Sequence, residues 1–186
     1  MHGFQIWVNL PRRLKMTRPR YQELAAANIP TAATADGTAR VKIIAGAALD
    51  VSAAIETHTP IVFQDWTLDA SADVTVDISR DQQVLAYVFE GAATIGEREI
   101  RDGQLAILGE GDAVRLRAKG SAAGEAASAA ARDRPGRLLL LAGVPHREPV
   151  ARYGPFVMTT QHELMQAFHD YQTGKMGEIT RTARIG

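Results

Sequence analysis

The chain has 186 residues, no cysteine, and 21 basic against 21 acidic residues, so its formal net charge is zero. The lack of cysteine excludes disulfides, thiolate metal sites and thiol nucleophiles. A net charge of zero gives no general attraction to nucleic acid, and no apolar run approaches the roughly 20 residues of a membrane-spanning helix. We therefore expect a soluble, cytoplasmic protein that does not contact membranes or bind nucleic acid directly.

The first stretch of the chain, residues 2–11, has the alternation of a β-strand. Phe4, Ile6, Val8 and Leu10 recur at every second position, which is the period of a strand with two different faces. The stretch lacks the charged start and unbroken apolar run of a signal peptide. A strand of this kind without a neighbour exposes backbone donors and apolar side chains. We expect the chain to form homo-oligomers through this strand.

The middle of the chain predicts strand after strand, separated by Gly, Asp and Pro. Eight short strands with such turns indicate a jelly roll or barrel. The predicted strands are 41–46, 61–68, 74–78, 84–91, 92–96, 104–108, 112–117 and 137–143. Residues 87–95 predict a hairpin around Glu90 and Gly91, and Asp102-Gly103 predicts a second tight turn, because glycine adopts positive φ without cost.

Two segments interrupt this pattern. Residues 30–37, rich in Ala and Thr, are interpreted as a linker. Residues 119–136, dominated by Ala, Gly and Ser, predict a long surface loop, and the sequence does not indicate its role.

The last part of the chain predicts a helix. Thr160 and Glu163 have the spacing of a capping box, and Leu164 and Phe168 follow at helical spacing. Gly174 is placed to end the helix.

Several segments carry a family resemblance. The run His2-Gly3-Phe4-Gln5-Ile6-Trp7-Val8-Asn9-Leu10-Pro11, followed by KMTRPRYQEL at residues 15–24, closely resembles the signature of the pirin family. Residues 105–112, 141–143, 147–150 and 153–158 also resemble pirin segments, in the family's order. The chain is therefore identified as similar to pirins over nearly its whole length, with residues 119–136 longer than is usual in that family.

The resemblance implies a fold and an organisation. Pirins are bicupins, with two β-barrels in one chain, so we expect a mainly β fold: a cupin-type jelly-roll barrel (double-stranded β-helix) with a C-terminal α-helix. Residues 1–30 would be a remnant strand and loop of the N-terminal cupin, residues 31–158 the C-terminal cupin barrel, and residues 159–186 the C-terminal helix and tail. In pirins this tail helix packs between the two domains.

The resemblance also implies where the metal lies. Pirins hold one metal, usually iron, with a His-x-His pair and a His-x-Glu pair that precede the H-G-F-Q-I-W strand. We expect that metal-binding half to be missing from this chain, so iron is expected only in that half. His2 matches a family histidine that is not a ligand, and no ligand position carries over.

The histidines of this chain agree with that expectation. A mononuclear iron site needs about three or four converging His and carboxylate ligands, often two residues apart on one strand. None of the five histidines, at positions 2, 58, 146, 162 and 169, lies two residues from another. We predict no catalytic, cofactor-binding or metal-ligating residue. The alternative is that a homo-oligomer rebuilds a metal site from His2, Glu56 and His58.

Two classes of function are considered for this chain, a non-catalytic domain and an enzyme. We expect the chain to be a pirin-like C-terminal cupin domain, catalytically inert by itself, with a structural or protein-interaction role, as in pirins that act as co-regulators and contact transcription factors. The alternative is a metal-dependent, quercetin-type dioxygenase formed when the chain is joined to, or assembled with, a metal-binding cupin half. The sequence does not identify the substrate, the protein partner or the oligomeric state.

Overall fold

The computed structural model of the chain describes residues 3–118 and 135–181. These residues form two compact units. One unit, the barrel unit, lies within Leu24–Pro145. The other, the terminal unit, combines residues 3–23 with residues 146–181. The terminal unit joins the first residues of the chain to the segment that starts at residue 146. This division differs from the three domains expected from the sequence, and the assignment of those domains stays a prediction.

Regular structure in the described residues is almost entirely β. The strands in chain order are β1 (Arg20–Tyr21), β2 (Thr31–Ala33), β3 (Ala39–Ala45), β4 (Ala47–Ala48), β5 (Val51–Ser52), β6 (Ile61–Leu68), β7 (Asp73–Asp77), β8 (Gln83–Glu90), β9 (Ala92–Ile95), β10 (Arg98–Arg101), β11 (Leu105–Ile107), β12 (Ala113–Ala118), β13 (Gly136–Gly143), β14 (Ala151–Tyr153), β15 (Phe156–Met158) and β16 (Thr180–Arg181). One α-helix, α1 (Gln161–Gln172), and 3₁₀ turns at Arg12–Leu14 and Ala26–Asn28 complete the described elements.

The barrel unit is built from two large antiparallel sheets and also contains the two-stranded pair β4–β5. The first has four strands in the order β10-β9-β12-β7, and the second has six in the order β11-β8-β13-β6-β3-β2. Successive side chains of a strand point to opposite faces of the sheet. In β8, for example, Val84, Ala86 and Val88 are buried in the core. Leu85 and Tyr87, between them, face outward. All eight strands predicted from the sequence are present, and the mainly β, cupin-type fold is confirmed.

The reversal at Gly91 differs from the predicted hairpin. β8 belongs to the six-stranded sheet and β9 to the four-stranded sheet, so the two strands do not pair and the hairpin prediction is wrong. Gly91, with φ +69°, instead carries the chain from one sheet to the other. Gly136 lies against this corner: a Cβ atom on Gly136 would stand 2.5 Å from the carbonyl oxygen of Ala92. Alternation alone cannot separate a hairpin from a change of sheet, because both look like two strands around a glycine. The second predicted turn is present, with Gly103 at φ +78°.

The predicted linker at residues 30–37 is partly a strand. β2 pairs antiparallel with β3, with Thr31 opposite Lys42 and Ala33 opposite Arg40, and forms one edge of the six-stranded sheet. The turn that follows is closed by the Asp36 carboxylate, which accepts the Thr38 backbone N–H at 3.1 Å. The linker interpretation is therefore wrong for residues 31–33; two of these three residues are alanines of low strand propensity, and they pair here because β3 offers a partner. Of the predicted loop 119–136, residues 119–134 lie outside the described part of the chain.

The terminal unit does not contain the predicted N-terminal strand. Residues 3–11 have no regular secondary structure, and a 3₁₀ turn follows at Arg12–Leu14. An alternating pattern becomes a strand only where a neighbour supplies hydrogen bonds, and within the described residues this stretch has no strand partner. The pairings that the unit does form are β1 with β16, in parallel, and the hairpin β14–β15.

The predicted C-terminal helix and its capping box are confirmed in α1. Thr160 Oγ1 accepts the Glu163 backbone N–H at 3.2 Å, and Glu163 Oε2 accepts the Thr160 backbone N–H at 3.0 Å. Leu164 and Ala167 are buried, and Gly174, at φ +72°, follows the helix. Within the described residues, no helix is long and apolar enough to cross a membrane. The cytoplasmic location stays a prediction.

Candidate functional site

The residues of the alternative metal site lie only partly in the described part of the chain, and the site stays a prediction. Glu56 and His58 lie in the segment between β5 and β6, where both are exposed. His2 lies outside the described residues. Among the described residues, no three His, Asp or Glu side chains are close enough together to hold a metal ion.

The remaining histidines lie in the terminal unit. His146 is half-buried, and its Nε2 donates to the backbone carbonyl of Asn9 at 3.0 Å. His162 and His169 are exposed on α1. A single hydrogen bond to a carbonyl and two exposed positions are typical of structural and surface histidines, respectively.

The interior of the barrel contains one polar side chain among the buried residues described. Gln64 and Trp66 are both fully buried on β6. Trp66 Nε1 donates to Gln64 Oε1 at 2.8 Å, and Gln64 Nε2 donates to the Ala47 carbonyl at 2.9 Å. Both ends of the amide are thereby used within the protein, as buried polar groups require. The sequence analysis did not identify this pair. The signal was a glutamine at one of the alternate positions of β6 whose next members, Trp66 and Leu68, are apolar and buried.

This interior does not fit the iron that the family resemblance implies. Iron in a protein of this type needs imidazole and carboxylate ligands converging with open positions. The described barrel core presents Val, Ile, Leu and Ala side chains with Gln64 and Trp66, and the amide of Gln64 is already occupied. No chemical step through a metal is therefore assigned to the described residues.

The outer face of the six-stranded sheet carries an apolar strip. The strip is defined by residues of β6, β8, β11 and β13 whose side chains alternate with core positions: Phe63, Leu85, Tyr87, Leu105, Ile107 and Leu141. Ile107 is 72% exposed and Leu105 is 51% exposed, on the edge strand β11. The other four side chains of the strip are half-buried. A contiguous apolar surface with exposed members of this kind marks an interaction surface.

A charged cluster lies beside the apolar strip on the same outer face. Arg137 donates from Nη2 to Asp65 Oδ2 at 2.9 Å, its Nη1 lies 3.7 Å from Glu90 Oε2, and its guanidinium carbon lies 4.7 Å from the centre of the Phe89 ring. Oδ1 of Asp65 is buried and has no hydrogen-bond partner among the described residues. Lys42 is the strand partner of Asp65 on β3. The cluster therefore gives the apolar strip a charged border.

Side chains from the beginning and the end of the chain meet in the terminal unit. Arg12 donates its backbone N–H to Glu148 Oε2 and its Nε hydrogen to Glu163 Oε1, each at 2.7 Å. Lys15 Nζ donates to the Val157 carbonyl at 2.9 Å. Partial burial lowers the pKa of Lys15, against the opposing charges of Glu148 and Glu163.

Glu163 has the most perturbed carboxyl of this unit. The hydroxyl of Thr159 donates to Glu163 Oε2, and the guanidinium of Arg12 and the Thr160 cap donate to the same carboxylate. These bonds, led by the one from Thr159, lower the pKa of Glu163 to about 2. Hydrogen bonds to the ionised form have this effect because protonation would break them. The carboxylate is thus a fixed, charged connection rather than a proton donor near neutral pH.

Four aromatic rings pack between the β14–β15 hairpin and α1. The centre of the Phe168 ring lies 5.3 Å from that of Tyr153 and 4.8 Å from that of Phe156, and the Phe156 and Tyr171 rings are 5.7 Å apart. The helical spacing of Phe168 and Tyr171 was visible in the sequence, but the hairpin that completes the cluster was not predicted.

Comparison with protein families and curated proteins gives consistent matches. The family model described as the pirin C-terminal cupin domain matches residues 63–177. The chain is 38% identical to pirin from Mus musculus over 192 residues, covering 100% of this chain and 61% of the mouse protein. It is 39% identical to a pirin-like protein from Caulobacter vibrioides over 184 residues, covering 94% of this chain and 59% of that protein. The chain thus spans about three fifths of the length of these relatives.

Solved structures agree with the sequence comparisons. A crystal structure of quercetin 2,3-dioxygenase from Acinetobacter baumannii superposes with a TM-score of 0.78 at 32% identity. The match covers 94% of this chain and 56% of that enzyme.

Proposed function

The chain belongs to the pirin family, and on that premise we propose that it acts as a pirin-type C-terminal cupin domain with a structural or protein-interaction role and is not catalytic by itself. The apolar strip on the outer face of the six-stranded sheet carries this proposal. Ile107 and Leu105 are large, exposed and adjacent on one edge strand. Such a surface is stabilised when another protein surface removes it from water.

The charged cluster supports the same role. The side chains of Arg137, Asp65 and Glu90 border the apolar strip, and interfaces commonly combine an apolar centre with a polar rim. In this proposal the chain carries no cofactor, and the iron of the family belongs to a metal-binding cupin half. The partner is a second copy of the chain or another protein.

Elemental analysis of the purified chain tests the proposal most directly. Iron, copper, manganese, nickel and zinc are measured on protein purified without chelator, and quercetin consumption and oligomeric state are recorded on the same sample. The proposal expects less than about one tenth of a metal per chain and no consumption of quercetin, because metal binding follows the ligands present. A metal content near one per chain or per dimer, together with quercetin consumption, would overturn it and direct mutagenesis to His2, Glu56 and His58.

A second test addresses the interaction surface. Ile107→Glu places a charge on the edge strand β11, at the most exposed residue of the apolar strip. Arg98→Glu changes an exposed residue of β10 in the other sheet of the barrel. Sedimentation velocity should show weaker association for Ile107→Glu and no change for Arg98→Glu. Equal association of both variants would show that the apolar strip does not contribute to the interaction.

A second candidate function is a quercetin-type, metal-dependent dioxygenase formed together with a metal-binding cupin half. The observation that favours it is the 32% identity to the Acinetobacter enzyme, of which this chain covers 56%. In that case the chain alone should be inactive, and a matching metal-binding half added in trans should restore quercetin consumption. No activity in the reconstituted mixture, with complex formation verified by sedimentation, would exclude this candidate.

A further inference from the structure

A groove runs along α1 in the terminal unit, beside the strand β14. Its volume is about 450 Å³, within the range of about 300–1,000 Å³ that is usual for small-molecule sites. Its walls are formed by residues of β14 and of one face of α1: Arg152, Tyr153, Gln161, Leu164, Met165, Phe168, His169 and Gln172. The helical members recur every three or four residues, so they lie on one face of the helix.

The floor of the groove is apolar and aromatic. Leu164 is buried and fixes the helix, whereas Met165 is 72% exposed and Tyr153 is 66% exposed. The Phe168 and Tyr153 rings are 5.3 Å apart with an angle of 51° between their planes, which holds both rings in place. A planar aromatic group fits such a floor because rings and thioethers make favourable contacts with aromatic faces and edges.

The rim of the groove has one sign of charge. Its lining includes the guanidinium of Arg152, the imidazole of His169 and two amides, and no carboxylate. Arg152 is exposed and has no ion-pair partner among the residues that the structure describes. The acidic residue Glu163 of the same helix points to Arg12 instead. The charge around the groove is therefore complementary to an anion, and a guanidinium matches a carboxylate in shape as well as in charge.

We propose that this groove binds a small aromatic carboxylate, with the ring against Tyr153, Met165 and Phe168 and the carboxylate on Arg152. The site is separate from the apolar strip of the barrel and does not depend on the proposed function. It assigns to the terminal unit a ligand-binding role that needs no metal.

Titration of the full chain with 2-naphthoate, followed by two-dimensional NMR, tests the site. Saturable shifts confined to β14 and α1, with a Kd of about 1 mM, are expected for a ligand of this size. Arg152→Gln should weaken naphthoate binding about tenfold, because a charge-assisted contact is lost. The same variant should leave the weaker binding of neutral 2-naphthylmethanol unchanged. Met165→Glu should abolish binding of both probes.

The matched control is Arg98→Gln, which makes the same change of charge at an exposed position on β10. It should bind naphthoate as the unmodified chain does, and circular dichroism should show all variants folded. Three results would overturn the proposal: no saturable shift up to the solubility limit of naphthoate, equal weakening by Arg152→Gln and Arg98→Gln, or shifts of the groove residues that depend on protein concentration alone. The last result would mean that a second copy of the chain occupies the groove.

Discussion

The Nε of Arg12 donates to Oε1 of Glu163 at 2.7 Å, which joins two side chains that are 151 residues apart in the chain. Glu163 also caps α1, so one carboxylate both starts the helix and holds the segment that contains Arg12. The ionised form of Glu163 therefore contributes to two parts of the terminal unit at once.

Acidification should weaken the terminal unit. The pKa of Glu163 is about 2 in the folded chain against an ordinary value of 4.5. Because the folded pKa is depressed, the stabilisation is fully present above about pH 4.5 and is lost as the pH falls towards about 2. Thermal denaturation followed by circular dichroism should show this loss, and Glu163→Gln should lower the melting temperature at neutral pH and flatten the acid dependence. The control is Glu178→Gln, at an exposed position. An unchanged acid profile in Glu163→Gln would refute the prediction.

Gly136→Ala should destabilise the barrel by about 2 kcal/mol. The added Cβ would stand 2.5 Å from the Ala92 carbonyl oxygen, so the corner between the sheets must open. Urea denaturation measures the change in the free energy of unfolding. Gly109→Ala is the matched control, because nothing lies within 4 Å of its Cβ position and its φ is not positive. Equal stability of the two variants would show that the corner yields without cost.

Gln64→Leu should cost about 2 kcal/mol of unfolding free energy. Leucine fills a similar volume with an apolar side chain, but the indole N–H of Trp66 and the carbonyl of Ala47 then lose their partner inside the barrel. Urea denaturation again provides the measurement. Gln5→Leu, at an exposed position, makes the same chemical change without this loss. A Gln64→Leu variant as stable as the unmodified chain would mean that another polar group can replace the amide.

The chain should associate through its N-terminal stretch. Residues 3–11 form no strand, but Trp7 remains 71% exposed, so apolar surface is available there. Light scattering should report dimers or larger species, and Trp7→Asp should shift them towards monomer. Comparison with Ile107→Asp separates this stretch from the apolar strip of the barrel. If the unmodified chain stays monomeric at high concentration, the prediction is contradicted.

The sequence predicts the barrel strands and the helix well because their signals are local in the sequence. β8 and β13 pair along most of their length, with Val88 opposite Leu138 and Ala86 opposite Leu140 in the core. In sequence, both strands are short, nearly continuous apolar runs with turn residues at their ends, which is the pattern of a buried strand. The helix is likewise predictable because Thr160 and Glu163 satisfy its first backbone donors locally.

The remaining features depend on partners that are distant in sequence. Phe4 and Ile6 alternate as in a strand, but no described strand pairs with them. Ala32 and Ala33 have weak strand propensity and still pair, because β3 lies beside them. The groove on α1 is lined in part by Tyr153 of the β14–β15 hairpin. The strands of this hairpin are only three residues long, which is too short for a recognisable alternation in the sequence.

The chain has two tryptophans, Trp7 in the terminal unit and Trp66 in the barrel unit. Trp7 faces solvent and Trp66 is fully buried, so their fluorescence should differ in wavelength and in access to quenchers. With Trp7→Phe, the red shift of the single remaining indole would report the opening of the barrel alone. The barrel unit therefore contains its own optical probe, and its unfolding can be followed by intrinsic emission without any label.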